Sequence, residues 1–124
     1  MVQAYSFTSK PIADALVKAH RRGVNVRVIV DRGQPKAKGG KVWDLVSSGV
    51  QVWVDRAHAI AHNKVIIIDG STVVTGSFNF TVSAETRNAE NLLVIRDAEV
   101  SRLYADNWER CLAHSERMAV SAAL

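Results

Sequence analysis

The sequence has a single cysteine, Cys111, and no long hydrophobic run among its 124 residues. One cysteine cannot form an intramolecular disulfide or supply the several thiolates of a cysteine-based zinc site, so both kinds of stabilised scaffold are excluded. The longest apolar runs, Val65–Ile68 and Leu92–Ile95, are far shorter than the ~20 residues of a membrane-spanning helix. Met1–Phe7 lacks the basic and apolar segments of a signal peptide. A hydrophobic content of 48% is instead typical of a globular domain with its own core.

The order of the periodic segments predicts an α/β fold, in which one domain over residues 1–124 has a mixed β-sheet flanked by helices. Apolar alternation or runs predict strands at 2–7, 24–30, 50–54, 64–69, 72–75 and 89–95. The unbroken apolar run at 65–68 further predicts that its strand is buried. Apolar residues at helical spacing predict a helix between an N-cap at Ser9 and a stop at Gly23, a short helix at 42–48, and a long one at 97–115 capped by Asp97.

Four polar side chains lie near the ends of the hairpin predicted for residues 64–75. His62 and Lys64 are two residues apart and are expected to share a face of the first strand, while Ser77 and Asn79 share a face beyond the second. If the strands pair, these side chains form one patch that suits a phosphate group. Lys64 and Asn79 can bind its non-bridging oxygens, and His62 can attack phosphorus or transfer a proton. No cluster of Asp and Glu lies nearby in the sequence to hold magnesium, so no metal site is predicted.

The same stretch resembles a known motif. His62–Asp69 followed by Gly76–Asn79 is similar to the H-x-K-x4-D-x6-G-S-x-N motif of the phospholipase D superfamily at all six fixed positions. Residues 4–8, 76–81 and 85–91 also resemble the small bacterial nucleases of this superfamily. The resemblance covers nearly the whole chain and implies a phospholipase D-like layered fold.

The resemblance implies a phosphodiester hydrolase that uses neither a metal nor another cofactor. One histidine attacks phosphorus and forms a phosphohistidine intermediate, and a second histidine protonates the leaving oxygen and then activates water. Larger members carry two motifs in one chain, whereas this sequence has one. We therefore expect a two-fold symmetric homodimer, in which His62 of one protomer is the nucleophile and the partner's His62 is the general acid and base.

The resemblance also assigns roles to the other residues of the motif. Lys64 and Asn79 are expected to bind the phosphate oxygens of the substrate, and Ser77 to line the catalytic pocket with them. Glu90 resembles the acidic residue that orients the catalytic histidine through its far ring nitrogen. The two remaining fixed positions are expected to be structural: Asp69, which fixes the turn, and Gly76.

The expected activity is that of an endonuclease that cuts DNA, with RNA as a further candidate, without sequence preference. The loop after the second strand carries cations that are expected to follow a phosphate backbone and bind substrate: Arg32, Lys36 and Lys38. The formal charge of +4 agrees with an anionic partner. The sequence shows no apolar anchoring segment, so stable membrane insertion is not expected. Two alternatives stay open: a phospholipase acting on an anionic lipid such as cardiolipin, and a catalytically idle nucleic-acid-binding module.

The other candidate residues lie outside the motif. His58, in the loop before it, could contact substrate, whereas His20 and His114 are predicted to be solvated on helix faces. Cys111 is expected in the core. Packing in the core or a dimer interface is expected, rather than stacking on bases, for the three tryptophans: Trp43, Trp53 and Trp108.

The sequence begins inside the pattern of the resembled family. We therefore expect that the family's first strand and helix are missing, which would uncover part of the sheet and of the first helix. The compartment is expected to be periplasmic if a signal peptide precedes this sequence, and cytoplasmic otherwise.

Overall fold

A seven-stranded mixed β-sheet runs through residues 1–119, the part of the chain that the computed structural model describes. In chain order the strands are β1 (Val2–Ala4), β2 (Arg27–Asp31), β3 (Gln51–Asp55), β4 (Val65–Ile68), β5 (Thr72–Gly76), β6 (Leu92–Arg96) and β7 (Ser115–Arg117). The helices are α1 (Lys10–Arg21), α2 (Val42–Ser47), α3 (Val82–Thr86) and α4 (Ala98–Ala113), with a 3-10 turn at Gln34–Lys36. The predicted α/β fold is confirmed.

The strand order β6-β5-β4-β1-β2-β3-β7 brings the chemistry-bearing loops to one edge of the sheet. β1, β2 and β3 are parallel, so all three end at this edge. β4 is antiparallel to β1 and therefore begins there, β5 ends there, and β6 begins there. We call this side, which carries the segments 56–64, 77–81 and 89–91, the carboxyl edge.

The central strands are buried on both faces, with one hydrophobic cluster on each side. On one face, Val28 and Val30 of β2 pack with residues of α1 and α2. On the other face, Ile29 packs with α4 through Trp108, which is 1% exposed and donates its indole N–H to the Val2 carbonyl at 2.8 Å. Burial on both faces explains why β2 is apolar at consecutive positions. Cys111 is buried beside Trp108, as predicted.

Both predicted helix N-caps are confirmed. The Ser9 hydroxyl accepts a hydrogen bond from the backbone N–H of Ile12 at 3.4 Å, in the first turn of α1. One carboxylate oxygen of Asp97 accepts from the backbone N–H groups of Glu99 and Val100 at 2.9 and 3.0 Å. These caps fix where α1 and α4 begin. Within residues 1–119, none of the helices is both long and apolar enough to cross a membrane.

Several elements differ from the sequence-based expectation. β4 begins only at Val65, so His62 and Lys64 lie in the loop before it, and the prediction that they share a strand is wrong. β4 begins at Val65 because β1 is only three residues long. The last residue pair between β1 and β4 is Gln3 with Val65, so residues 62–64 have no strand-pairing partner on β1. Residues 24–26 precede β2 for a similar reason, since Arg27 is the first residue paired with β3. α3 and β7 were not predicted, because five and three residues are too few to show a period.

The β4–β5–β6 side of the sheet presents apolar side chains to solvent. Ile68 is exposed although the apolar run predicts a buried strand. On the edge strand β6, more than half of each of three side chains is exposed: Leu92, Leu93 and Val94. β6 therefore presents an exposed apolar surface, which was not predicted from the sequence. Trp43 also lies at the surface, where its indole N–H donates to the Pro35 carbonyl at 2.9 Å.

Candidate active site

The carboxyl edge brings together the polar residues of the motif. His62 and Lys64 lie just before β4, Ser77 and Asn79 lie just after β5, and Glu90 lies just before β6. Because β4, β5 and β6 are neighbours in the sheet, these three positions are adjacent in space. The predicted patch therefore forms from loops at strand ends rather than from side chains within the strands.

His62 and Lys64 are in direct contact. The Lys64 ammonium lies 3.0 Å from Nδ1 and 3.1 Å from Nε2 of His62, and it donates a hydrogen bond to the His62 carbonyl at 3.0 Å. The His62 ring is exposed and packs against the Tyr5 ring, with 4.6 Å between the centroids. Lys64 is only 8% exposed, and this burial lowers its pKa, although the nearby Glu90 carboxylate opposes the effect. The His62 imidazole thus lies at the surface in direct contact with a partly desolvated cation.

A buried carboxylate fixes the backbone that leads into His62. Asp31, the last residue of β2, accepts a hydrogen bond from the Ala61 N–H at 2.8 Å and another from the Gly33 N–H at 2.9 Å. Asp31 is buried, and its bond to the Ala61 N–H is shielded from water. Asp31 thereby ties the loop before β4 to the end of β2. Asp31 was not predicted as a site residue, although an acidic residue at the end of a predicted buried strand was a usable signal.

Two further contacts hold the segment on the other side of His62. The Asn63 amide donates to the buried Gln3 side chain in β1 at 3.2 Å. The Thr75 hydroxyl in β5 donates to the Lys64 carbonyl at 3.0 Å. The backbone around His62 is therefore held from β1, β2 and β5 together, which limits the positions that its ring can take.

Gly76 is required by the backbone that surrounds it. Its φ is +148°, in the region that favours glycine, and a Cβ at this position would lie 2.1 Å from the Asn91 carbonyl oxygen. The Ser77 N–H donates to that same oxygen at 3.0 Å. The close approach of β5 and β6 at this point brings Ser77 next to Glu90.

Ser77 and Glu90 form a hydrogen-bonded pair. The Ser77 hydroxyl donates to one oxygen of Glu90 at 2.6 Å and accepts from the Asn91 N–H at 3.0 Å, while Asn88 donates to the other oxygen at 3.1 Å. The bond from Ser77, then that from Asn88, lowers the pKa of Glu90, and the charge of Lys64 adds to the effect. Glu90 is thus an ionised carboxylate near Lys64. Within residues 1–119 it forms no hydrogen bond to His62, so its predicted contact with that ring is not present in the single chain.

Asn79 presents an unsatisfied polar atom. Its side-chain Oδ1 is buried and has no hydrogen-bond partner among the described residues. The Phe80 carbonyl next to it accepts from Thr8 and Ser9 N–H groups at 3.0 and 2.9 Å, and the Phe7 and Phe80 rings pack edge to face. The loop that carries Asn79 is therefore fixed against the segment after β1. A buried acceptor without a donor is costly, and its partner must be an N–H or O–H group. A phosphate contact of Asn79 would therefore come from its side-chain NH2 and not from this oxygen.

The predicted basic loop starts at the carboxyl edge, directly after β2. It is anchored to Phe7, whose N–H donates to the Gln34 side chain at 3.0 Å and whose carbonyl accepts from the Lys41 N–H at 3.0 Å. Three of its side chains are exposed and, within residues 1–119, form no ion pair: Arg32, Lys36 and Lys38. This loop places uncompensated positive charge on the side of the sheet that carries His62.

Two histidines outside the motif contact the same carboxylate. His114 follows α4; its side chain is 40% exposed and its Nε2 lies 3.7 Å from the Asp55 carboxylate. His58 also contacts Asp55, at 2.8 Å from its Nδ1. Burial raises the pKa of Asp55, but hydrogen bonds from His58 and the Ala57 N–H outweigh this and lower it. His20 is half-buried.

Comparisons with known proteins agree on one family. A family model described as cardiolipin synthase, PLD-like domain, matches residues 1–112. A protein named phospholipase D from Rickettsia prowazekii is 48% identical over 107 residues, which are 86% of this chain and 52% of that protein. The mitochondrial cardiolipin hydrolase of Xenopus laevis is 40% identical over 106 residues, 86% of this chain and 50% of that protein. The chain therefore spans about half the length of these curated relatives.

A solved structure of a similar protein also indicates the phospholipase D-like family. The phospholipase D family member Nuc from Salmonella typhimurium superposes with a TM-score of 0.88 at 36% sequence identity, over 95% of this chain and 80% of that one.

Proposed function

The chain belongs to the phospholipase D-like family, and from this premise we propose that it hydrolyses phosphodiester bonds in nucleic acid without sequence preference and without a catalytic metal. One observation carries the proposal: the loops of the carboxyl edge bring His62, Lys64, Asn79 and the Ser77–Glu90 pair together, as phosphodiester cleavage by a histidine nucleophile requires.

In the proposed reaction, His62 uses a ring nitrogen to attack phosphorus. A nitrogen–phosphorus bond forms as the bond from phosphorus to the leaving oxygen breaks, and the leaving oxygen takes a proton from the partner's His62. Water then gives a proton to that second imidazole and attacks phosphorus, which releases His62. Lys64 and the Asn79 amide stabilise the charge on the non-bridging oxygens. Because Lys64 is largely buried, its charge acts in a medium of lower dielectric than water.

The second histidine is proposed to come from a homodimer. The chain holds one copy of the motif, and the other three histidines are not next to His62 in sequence or in the contacts that the structure describes. The His62 ring is exposed, so the same residue of a symmetry-related copy can approach it. Mixing His62→Ala protein with wild type tests this. Heterodimers should be unable to complete the cycle, whereas a fully active monomer in light scattering would contradict the shared site.

Nucleic acid is the preferred substrate because of the basic loop. The variant replaces three cations of this loop by glutamine: Arg32, Lys36 and Lys38. It should raise KM for DNA with little change in kcat, since these side chains would contact the phosphate backbone of DNA at a distance from the cleaved bond. If each contacts one phosphate, the slope of log K against log salt should fall by about 2.7. Replacement of the exposed Lys18, Arg21 and Arg22, at the C-terminal end of α1, serves as a matched loss of three positive charges.

Lipid hydrolysis is the second candidate, and a specific observation favours it. The exposed apolar residues of β6 provide a surface that could contact a bilayer, and the relatives include proteins named phospholipase D and cardiolipin hydrolase. The same catalytic residues would serve either substrate, because the phosphodiester group is common to both.

One experiment separates the hypotheses. The protein is incubated in excess EDTA with plasmid DNA and, separately, with vesicles that contain labelled cardiolipin. Cleavage of DNA that His62→Asn abolishes and His20→Asn preserves supports the nuclease. Hydrolysis of cardiolipin with intact DNA supports the lipid hydrolase. Salt-sensitive DNA binding with neither reaction would leave a binding module and refute the catalytic proposal.

A further inference from the structure

We propose that Asp55, His58 and His114 form a binding site for a divalent transition metal ion, with Zn²⁺ as the expected ion. The three residues each offer one ligand atom, and these atoms all lie within 4.8 Å of one another. None of the three belongs to the motif or to the residues proposed to bind phosphate. The site would therefore be separate from the proposed metal-free chemistry at His62.

The carboxylate of Asp55 is held in place before any ion binds. Asp55 is the last residue of β3 and is fully buried. Its Oδ1 accepts the backbone N–H groups of Ala57 and His58 at 2.9 and 3.2 Å. The other oxygen, Oδ2, is left to face the two imidazoles. Such an arrangement fixes the orientation of a metal ligand by hydrogen bonds to its second atom.

The spacing of the ligand atoms fits tetrahedral zinc. Zinc bonds of about 2.0–2.1 Å at tetrahedral angles separate neighbouring ligand atoms by about 3.3 Å. Oδ2 of Asp55 lies 2.8 Å from Nδ1 of His58 and 3.7 Å from Nε2 of His114, so the observed distances fall on either side of this value. The side chains of His58 and His114 are 53% and 40% exposed, so both rings are free to turn towards a bound ion.

The backbone places the third ligand as firmly as the first. His114 is the C-cap of α4 and directly precedes β7. Ser115, the next residue, is the Cα partner of Asp55 in the β3–β7 pairing, and its hydroxyl donates to the Cys111 carbonyl at 2.7 Å. Two imidazoles and a carboxylate are a ligand set that zinc uses with a water molecule in the fourth position. The ion would join the end of α4 to the loop at 56–64 that carries His62.

The test uses untagged protein that has been dialysed against chelator and then into chelator-free buffer. Titration with ZnCl₂ in a calorimeter should show one ion per chain, and His58→Gln or His114→Gln should each weaken binding at least about tenfold. Saturation at 100 times Kd should raise Tm of the wild type by about 5–10 °C, and the shift should be lost in the variants. Because both rings are partly exposed, these variants are expected to remain folded, which circular dichroism checks.

Two further variants make the result specific. His20→Gln removes a histidine elsewhere and should leave zinc binding unchanged. His62→Ala should also leave it unchanged, because the proposed site does not include that ring. Absence of binding, or binding that is lost in His62→Ala but kept in His58→Gln and His114→Gln, would overturn the proposal. The contacts of Asp55 with His58 and His114 would then be explained without a metal ion. Neither outcome bears on whether His62 cleaves a phosphodiester.

Discussion

Replacement of Gly76 by alanine should destabilise the protein and disable the site together. The added Cβ would lie 2.1 Å from the Asn91 carbonyl oxygen, so that carbonyl must move by at least about 1.3 Å to reach an ordinary contact distance. The movement breaks the hydrogen bond from the Ser77 N–H to the same oxygen. It also shifts the Asn91 N–H, which donates to the Ser77 hydroxyl. Ser77 then loses the position from which it binds Glu90.

The loss of free energy of unfolding expected for Gly76→Ala has two contributions. A φ of +148° for a residue other than glycine costs roughly 1–3 kcal/mol, and loss of one backbone hydrogen bond costs about 1 kcal/mol. We therefore expect Gly76→Ala to lower the free energy of unfolding by about 3 kcal/mol and Tm by about 10 °C. Phosphodiesterase activity at 20 °C, where the variant is still folded, should fall well beyond the fraction of protein that is unfolded.

Gly70→Ala is the matched control. Gly70 also has a positive φ, +64°, but a Cβ there would meet nothing within 4 Å. This variant should cost about 1 kcal/mol from backbone strain alone and should keep its activity. Urea unfolding followed by circular dichroism gives both free energies. If Gly76→Ala is no more destabilising than Gly70→Ala, the close approach of β5 and β6 is not what requires glycine, and the reasoning fails.

Three other changes test the site from different directions. Lys64→Met should reduce kcat at least about 100-fold with a small change in Tm, because it removes one stabilising donor for the phosphate; an unchanged kcat would contradict its role. Asp31→Ala should lower the free energy of unfolding by about 3 kcal/mol in urea titrations, since it leaves the Ala61 N–H without its buried acceptor; a change below about 1 kcal/mol would show that water replaces it. The hydrogen bond from Ser77 lowers the folded-state pKa of Glu90, so the Glu90 carboxylate stabilises the fold at pH values above its unfolded-state pKa. The free energy of unfolding of wild type should therefore exceed that of Glu90→Gln at pH 7, and the difference should be lost as the pH falls through the folded-state pKa. A difference that persists in acid would refute this.

The elements with a strong local signal could be predicted from the sequence. Ser9 and Asp97 were correctly predicted as N-caps because a cap is a contact between residues two or three apart. The β4–β5 hairpin was correctly predicted for the same reason, since its turn at Asp69 and Gly70 lies between two apolar runs and both residues take a positive φ.

Contacts between distant parts of the chain could not be predicted in this way. The bond from Ala61 to Asp31 spans 30 residues, and the approach of His114 to Asp55 depends on the pairing of β7 with β3. Nothing in the neighbourhood of His114 in the sequence indicates a carboxylate partner. The boundary of β4 depends likewise on where β1 ends, which no pattern within residues 62–68 records.

The spacing of the motif follows from the register of the hairpin. Val65 pairs with Thr75 and Ile68 with Thr72, so continuing the register by one residue places Lys64 opposite Gly76. Lys64 and Gly76 are therefore separated by four residues of β4, a three-residue turn and four residues of β5. Gly76 in turn pairs with Leu92 on β6, which brings Glu90 beside Ser77. Inserting or deleting one residue in either strand would break this register. The fixed spacing of the motif therefore equals the number of residues in the hairpin. Pairing within the sheet then sets where each proposed phosphate-binding side chain lies.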